Sequence, residues 1–289
     1  MIHAMVVSLG SALVVSGILA LSTVGFTLRY AVSGVFDLTY GALMGIAMFV
    51  AYLCAQAGLN LWLSSLIAGV GIATVSVLLE RLVVRPLLAR SATSWVMMIV
   101  TFAIGLAVEA SVLGYWGSNF RSYTLVGRTF HLGNVVVTAD QLWILTLSVV
   151  GTLSVGLMLH YTQLGRAMRA TATNSNLAEN CGIQVKTIRT LTWFMSGFLC
   201  GVSGVLIAIQ TGSFTYSTWE VFLPLVIAAA IIGGVGRIGG AMAGALLIGV
   251  VTALASAVIS SAYEDVVALG VLTIVLLARP SGLFVRTAQ

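Results

Sequence analysis

Charge is what this chain has least of: Asp, Glu, Lys and Arg make up 7% of its 289 residues. Soluble domains carry roughly 25%, so an ordinary water-facing fold is excluded. Cysteine is sparse too. Cys54, Cys181 and Cys200 are isolated, with no C-x-x-C pair, which indicates neither a disulfide framework nor a thiol metal site. The histidines, at positions 3, 131 and 160, are too scattered for a recognisable ligand motif. The only lysine, Lys186, follows Val185, so the chain holds no G-x-x-x-x-G-K-[ST] nucleotide loop. It also lacks a G-x-S-x-G elbow and an H-E-x-x-H zinc pair. These absences read against an enzyme and against a cofactor or metal held by this chain.

What is present is apolar sequence. Hydrophobic residues reach 60%, glycine numbers 31 and the mean hydropathy is +1.10. A helical membrane crossing needs about 20 apolar residues. Such runs recur at 5–28, 33–55, 60–79, 95–113, 141–161, 191–210, 221–236, 241–260 and 266–279. Backbone groups in lipid must be satisfied internally, which helices achieve. The expected fold is therefore all-α: one polytopic transmembrane bundle over 1–289, of about eight or nine spans. Broken or re-entrant segments are expected at 28–41 and in the glycine-rich 221–240 region.

The net charge of +5 needs no nucleic-acid partner once its distribution is considered. With the amino terminus outside, Arg29, Arg81, Arg85, Arg90, Arg166, Arg169, Lys186, Arg189, Arg237, Arg279 and Arg286 fall on the inner side, and only Arg121 and Arg128 outside. Eleven against two is a positive-inside bias. It predicts an external amino terminus and a cytoplasmic carboxyl terminus. Trp62, Tyr115, Trp116, Trp219 and Tyr263 suit an interfacial aromatic belt.

Several segments interrupt the apolar pattern. In LRYAVSGVFDLTYGALMG, Asp37 either lines a pathway and meets a substrate ammonium, or pairs with Arg29, or caps the following helix. A carboxylate within a span is costly and faces a cavity or a partner. Thr39, Tyr40 and Gly41 share that cluster and join Asp37 as candidate pathway residues. Glu109, near an outer helix end, poses the same choice. The 114–140 loop alternates enough over VGRTFHLGNVVVT to form a small hairpin. Glycines 233, 234, 236, 239, 240 and 244 crowd one segment, for close helix packing or for a half-helix end facing the pathway. On the second reading Gly233, Gly234 and Gly236 line the route. Pro86, Pro224 and Pro280 mark a helix boundary, a kink and a helix stop respectively.

The most informative stretch is a polar, Arg-bearing island between two long apolar runs, GRAMRATATNSNLAENCGI, residues 165–183. Asn176 with Glu179 three positions on is an N-cap and N3 pair, and Gly182 suits the position after a helix end. That predicts a short helix near 177–181 after a helical turn at 165–172. Such a loop either docks on a cytosolic partner or lays its arginines on anionic lipid headgroups.

This island resembles the pattern G-R-A-x-R-A-x-A-x-N-P-x-x-A-x-x-x-G-I of the permease subunits of branched-chain amino acid ABC importers. GVFDLTYG, ERLVVRPLLARSA, GGVGRIGGAMAG and RPSGLF resemble four further stretches of that family, in the same order. The resemblance runs from about Gly25 to Phe284. It implies that the loop, about 162–190, is a coupling helix seated in a cytosolic ATPase. Gly165, Arg166, Ala167, Arg169, Ala170, Asn174, Ala178, Gly182 and Ile183 match by position, and Glu179 joins them as a coupling candidate; Ser175 stands where the family has proline. Asp37, Leu38, Thr39 and Tyr40 depart from the family's Asn, Phe, Ala and His, which weakens any assignment of leucine, isoleucine or valine as solute.

The resemblance further implies a bacterial inner-membrane importer of a small polar solute, a branched-chain or other amino acid or an amide or urea-like compound. Its partners would be a second permease subunit, two ATPase subunits that use ATP and Mg, an extracytoplasmic solute-binding protein and the lipid membrane. The rival reading is a self-sufficient ion-coupled carrier or a channel.

Overall fold

A computed structural model describes residues 2–123, 129–132, 135–234, 236–258 and 264–278. Arg128, Tyr263 and residues 279–289, with Arg279, Pro280 and Arg286, lie outside the described residues. Each apolar run forms a helix: α1 (Ile2–Ser33), α2 (Thr39–Gln56), α3 (Leu61–Leu79), α5 (Ser94–Trp116), α6 (Ala139–Tyr161), α9 (Val185–Thr211), α10 (Trp219–Gly233), α11 (Ile238–Val258) and α12 (Glu264–Ala278). Three short helices interrupt them: α4 (Arg85–Ala89), α7 (Gln163–Thr173) and α8 (Ser175–Asn180). Strands β1 (Thr129–Leu132) and β2 (Val135–Thr138) pair antiparallel, Thr129 opposite Thr138. Among the described residues, 6 helices are long and apolar enough to cross a membrane, while Trp219–Gly233 and Gly239–Thr252 are shorter. The 15 residues of α10 rise about 22 Å, less than a hydrocarbon core of roughly 30 Å.

The bundle is centred on α1 and α9, whose apolar windows are each 83% buried, against 22% for α5. Lipid is as apolar as leucine, so close approach rather than hydrophobicity selects neighbours in a membrane. The α3–α9 contact shows this: a Cβ on Gly201 would lie 2.8 Å from the Gly69 Cα. At one end of the bundle Phe49, Trp116, Tyr52, Tyr123 and Phe214 pack ring to ring. There the Tyr123 hydroxyl donates to the Met48 carbonyl (2.7 Å), and burial pushes its ionisation up.

Between α3 and α4, residues Glu80–Val84 form a π-helical turn. In an α-helix, residues five apart point about 140° away from each other. The wide i→i+5 turn brings Arg85 onto Glu80, with Nε and Nη2 each 3.1 Å from the two carboxylate oxygens. Thr190 of α9 donates to the same carboxylate at 3.1 Å. Glu80 is fully buried and Arg85 is 36% exposed. Glu80→Gln is accordingly expected to lower stability by roughly 1.5–3 kcal/mol, the worth of hydrogen bonds to a charged group. Arg85→Lys, at the wetter end of the pair, should cost less. Melting of both variants in detergent checks this, and equal losses would contradict it.

Candidate functional site

The polar island is built by local rules. Helix α6 ends at Tyr161, and the Thr162 hydroxyl caps α7 by accepting from the Gly165 amide (3.1 Å). Gly165 lies directly on the α6 backbone, where a Cβ would overlap the Leu159 Cα and carbonyl; only glycine permits so tight a turn. Along α7, Gly165, Met168 and Thr171 are buried, three residues apart, while Arg166, Arg169 and Ala170 are exposed. Arg169 donates from Nη1 to the Leu159 carbonyl (2.7 Å).

The cap of α8 differs from expectation. Asn174, with extended backbone, accepts from the Leu177 amide (3.0 Å) and is the N-cap; Asn176 lies inside the helix. Helix α8 spans Ser175–Asn180 instead of 177–181, and α7 runs Gln163–Thr173 instead of 165–172. The reason is register: Asn174 leaves helical backbone after α7, so it alone can close the next turn. Ser175 is the first helical residue, where proline is pre-organised; the departure from the family therefore relaxes the turn but leaves the cap. At the far end Gly182 has φ +84°. Its amide donates to Glu179 and that of Ile183 to Ala178, both at 3.0 Å, a Schellman closure.

Most of the matched residues thus shape the loop. Gly165, Asn174 and Gly182 set its turns, Ala178 is buried, and Ala167 and Ile183 pack on the core. Arg166, Arg169, Ala170 and Glu179 present exposed surface. Leu177, which the sequence pattern did not single out, is 60% exposed on α8, an apolar knob on a polar loop.

The second set of candidates lies inside the bundle. Asp37 carries no accessible surface and forms an ion pair with Arg29 Nη1 through Oδ2. Its Oδ1 accepts from the Thr39 amide (2.9 Å) and hydroxyl, so the carboxylate both pairs and caps. Arg29, only 1% exposed, donates from Nε to Ser196 (3.0 Å) and from Nη2 to Ser76 (2.6 Å). Its guanidinium lies 4.2 Å from the Trp193 ring centre and 5.2 Å from that of Tyr40. Trp193 in turn donates to the Ser33 hydroxyl (2.8 Å). One side chain therefore ties α1, the break before α2, α3 and α9. Tyr40 is buried and donates to the Ser22 carbonyl (2.9 Å); a Cβ on Gly41 would overlap the Trp219 ring. An arginine inside a span is legible as a sequence signal, but Ser76, Ser196 and Trp193 carry none.

Gly233, Gly234 and Gly236 belong to the turn between α10 and α11. Gly233 and Gly240 face each other backbone to backbone, and Gly244 meets the Ala229 carbonyl. Gly234 and Gly236 have φ of +91° and +89°. Gly236 also borders a cavity of about 690 Å³ beside the island. The pathway candidates therefore fall into two groups, one around Arg29 and one at this turn. Glu109 is half-buried near the end of α5 and lies beside Glu220, in the first turn of α10.

Known proteins share this pattern along nearly the whole chain. Residues 8–276 match the family described as the permease component of the branched-chain amino acid transport system. The high-affinity branched-chain amino acid transport system permease protein BraD of Pseudomonas aeruginosa is 29% identical, over 95% of this chain and 94% of that protein. LivH, of the same description in Escherichia coli, is 27% identical, over 92% and 91% respectively. The probable branched-chain amino acid transport permease protein LivH of Methanocaldococcus jannaschii is 29% identical, over 95% and 91%. With the family pattern matched across 8–276 and apolar helices long enough to cross a membrane, this chain belongs to the branched-chain amino acid transport permease family and is a multi-pass membrane permease component.

Proposed function

We propose that this chain forms half of the translocation path of an ATP-driven importer for a small polar solute, an amino acid of branched-chain or other type. The whole chain acts as one permease domain, its amino terminus external and its carboxyl terminus and 162–190 loop cytoplasmic. A second permease subunit, related or identical, completes the path. Two cytosolic ATPase subunits, using ATP and Mg, act on the loop, and an extracytoplasmic binding protein delivers the solute. Nucleotide binding by those subunits shifts the permease between outward and inward access through its differential affinity for the two states. The branched-chain amino acid transport systems to which the relatives belong support the solute class.

The observation that carries the coupling role is the exposure of Arg166, Arg169, Leu177 and Glu179 on a loop whose buried and capping residues fix its own shape. Truncating Arg166, Arg169 and Glu179 together to alanine is expected to weaken copurification of the ATPase about tenfold or more, as loss of interface anchors does, with a parallel fall in uptake. Unchanged copurification and uptake would remove the loop from that role. Solute accumulation by this polypeptide alone in vesicles would instead support the ion-coupled carrier.

A further inference from the structure

A pocket of about 440 Å³ opens where α2 ends and α3 and α6 begin. That volume falls within the roughly 300–1,000 Å³ of small-ligand sites. Asn60, Ser122 and Asp140 converge on it, and among the described residues none of these side chains has a hydrogen-bond or ion-pair partner. Asn60 is the N-cap residue of α3, yet its side chain makes no capping bond, the use asparagine ordinarily finds there. The first turn of α6, which carries Asp140, is fixed by the capping box of Thr138 and Gln141. Among the described residues, Asp140 is the only charged one that lines the pocket. Tyr52 and Trp62 add aromatic wall, and Gln56 pins the Tyr52 hydroxyl (2.6 Å). Arg121 lies over the Tyr52 ring, 5.3 Å from its centre, and donates to the Trp116 carbonyl (3.3 Å); it is not part of the lining.

We propose that this pocket binds a small organic ammonium, carried by a free amino acid or a simple amine, with Asp140 as its countercharge. An ammonium donating to a carboxylate makes the stronger, charge-assisted kind of hydrogen bond, and aromatic faces attract the same cation. Asn60 and Ser122 are left to meet the neutral or anionic remainder of the ligand. One carboxylate among ring faces suits an organic cation better than calcium, which gathers six to eight oxygen ligands. The dipole of α6 favours an acid in its first turn, and an interfacial belt accounts for Trp62. Neither explains why a free carboxylate, a free amide and a free hydroxyl share one pocket with those rings. The orientation proposed above places the pocket on the outer side; that placement is all the site takes from the importer reading.

Saturation-transfer NMR on the purified full-length chain in detergent tests this with three probes of one carbon skeleton: leucine, 3-methylbutylamine and 4-methylpentanoate. The amine is expected to bind about tenfold tighter than the acid or more, the worth of one charge-assisted hydrogen bond. Leucine binding like the amine assigns the ammonium to an amino acid, and the amine alone to a simple amine; either result supports the site. Asp140→Asn should weaken the amine about tenfold and leave the acid unchanged. Asp140→Glu should keep most of the binding, which separates charge from misfolding. Trp62→Leu should weaken the amine severalfold through loss of a ring face. Equal binding of amine and acid, or undiminished amine binding in Asp140→Asn, overturns the site. If the wild type binds no amine but Asp140→Asn weakens docking of the binding protein, the pocket belongs to a basic side chain of that protein and the proposal falls. None of these readouts involves the ATPase, so uptake that needs no ATPase would sink the importer reading and leave the site standing.

Discussion

Asp37→Ala is expected to cost the folded protein roughly 3–5 kcal/mol, because it strands a guanidinium in the bundle with no countercharge. Arg29 is 1% exposed and spends its donors on Asp37, Ser76 and Ser196. None of these partners can be replaced by water without opening the packing of α9 against α1 and α3. Arg29→Met should be comparably harmful, since it leaves the Asp37 carboxylate buried with Thr39 as its remaining hydrogen-bond partner. The double variant Arg29→Met/Asp37→Ala should recover part of the loss, as replacing both members of a buried pair removes two desolvated charges at once. Melting and refolding yields in detergent for the four forms make a thermodynamic cycle. Additive single-variant effects would mean that the pair is not coupled. Wild-type stability with changed solute selectivity in Asp37→Asn would return the residue to a pathway role.

Gly240→Leu is expected to be the other severe change, and by an opposite mechanism. A Cβ there overlaps the Gly233 carbonyl, and one at Gly233 overlaps Gly240 in return. The obstruction on both sides is backbone, which cannot rotate away as a side chain does. Overpacking in a filled core costs roughly 1–3 kcal/mol and occasionally more; two opposed backbones place this site at the upper end. Gly239→Leu, one residue away and with no heavy atom near its Cβ direction, is the control and should melt close to wild type. Similar melting of both variants would show that α10 and α11 do not hold this contact. If the pair separates during transport, Gly240→Ala should reduce uptake more than it reduces stability.

The coupling island was the most legible part of the chain because its structure is decided within a few residues. Gly182 needs positive φ, Thr162 and Asn174 reach amides three positions ahead, and all of this is encoded locally. Even there the register slipped by two residues, since Asn174 and Asn176 are chemically equal as caps. What separated them was where α7 ended. Leu177 escaped notice because one leucine in an apolar protein carries no signal until its exposure is known. The π-helical turn at Glu80–Val84 was equally silent: five residues of ordinary helix formers look α-helical, and the wide turn follows from Glu80 and Arg85 meeting each other and Thr190.

Apolar run length and the shortage of charge were enough to dictate the helices, because a backbone in hydrocarbon has almost no other way to satisfy its polar groups. Neighbour choice was beyond that reach. Arg29 and Ser196 stand 167 residues apart, and Trp193 lies 160 residues from Ser33. With lipid as good a solvent as leucine, nothing in composition says which helix lies beside which; small residues and a few buried polar groups decide it by fit. The fate of Asp37, pairing and capping together, is a product of that fit.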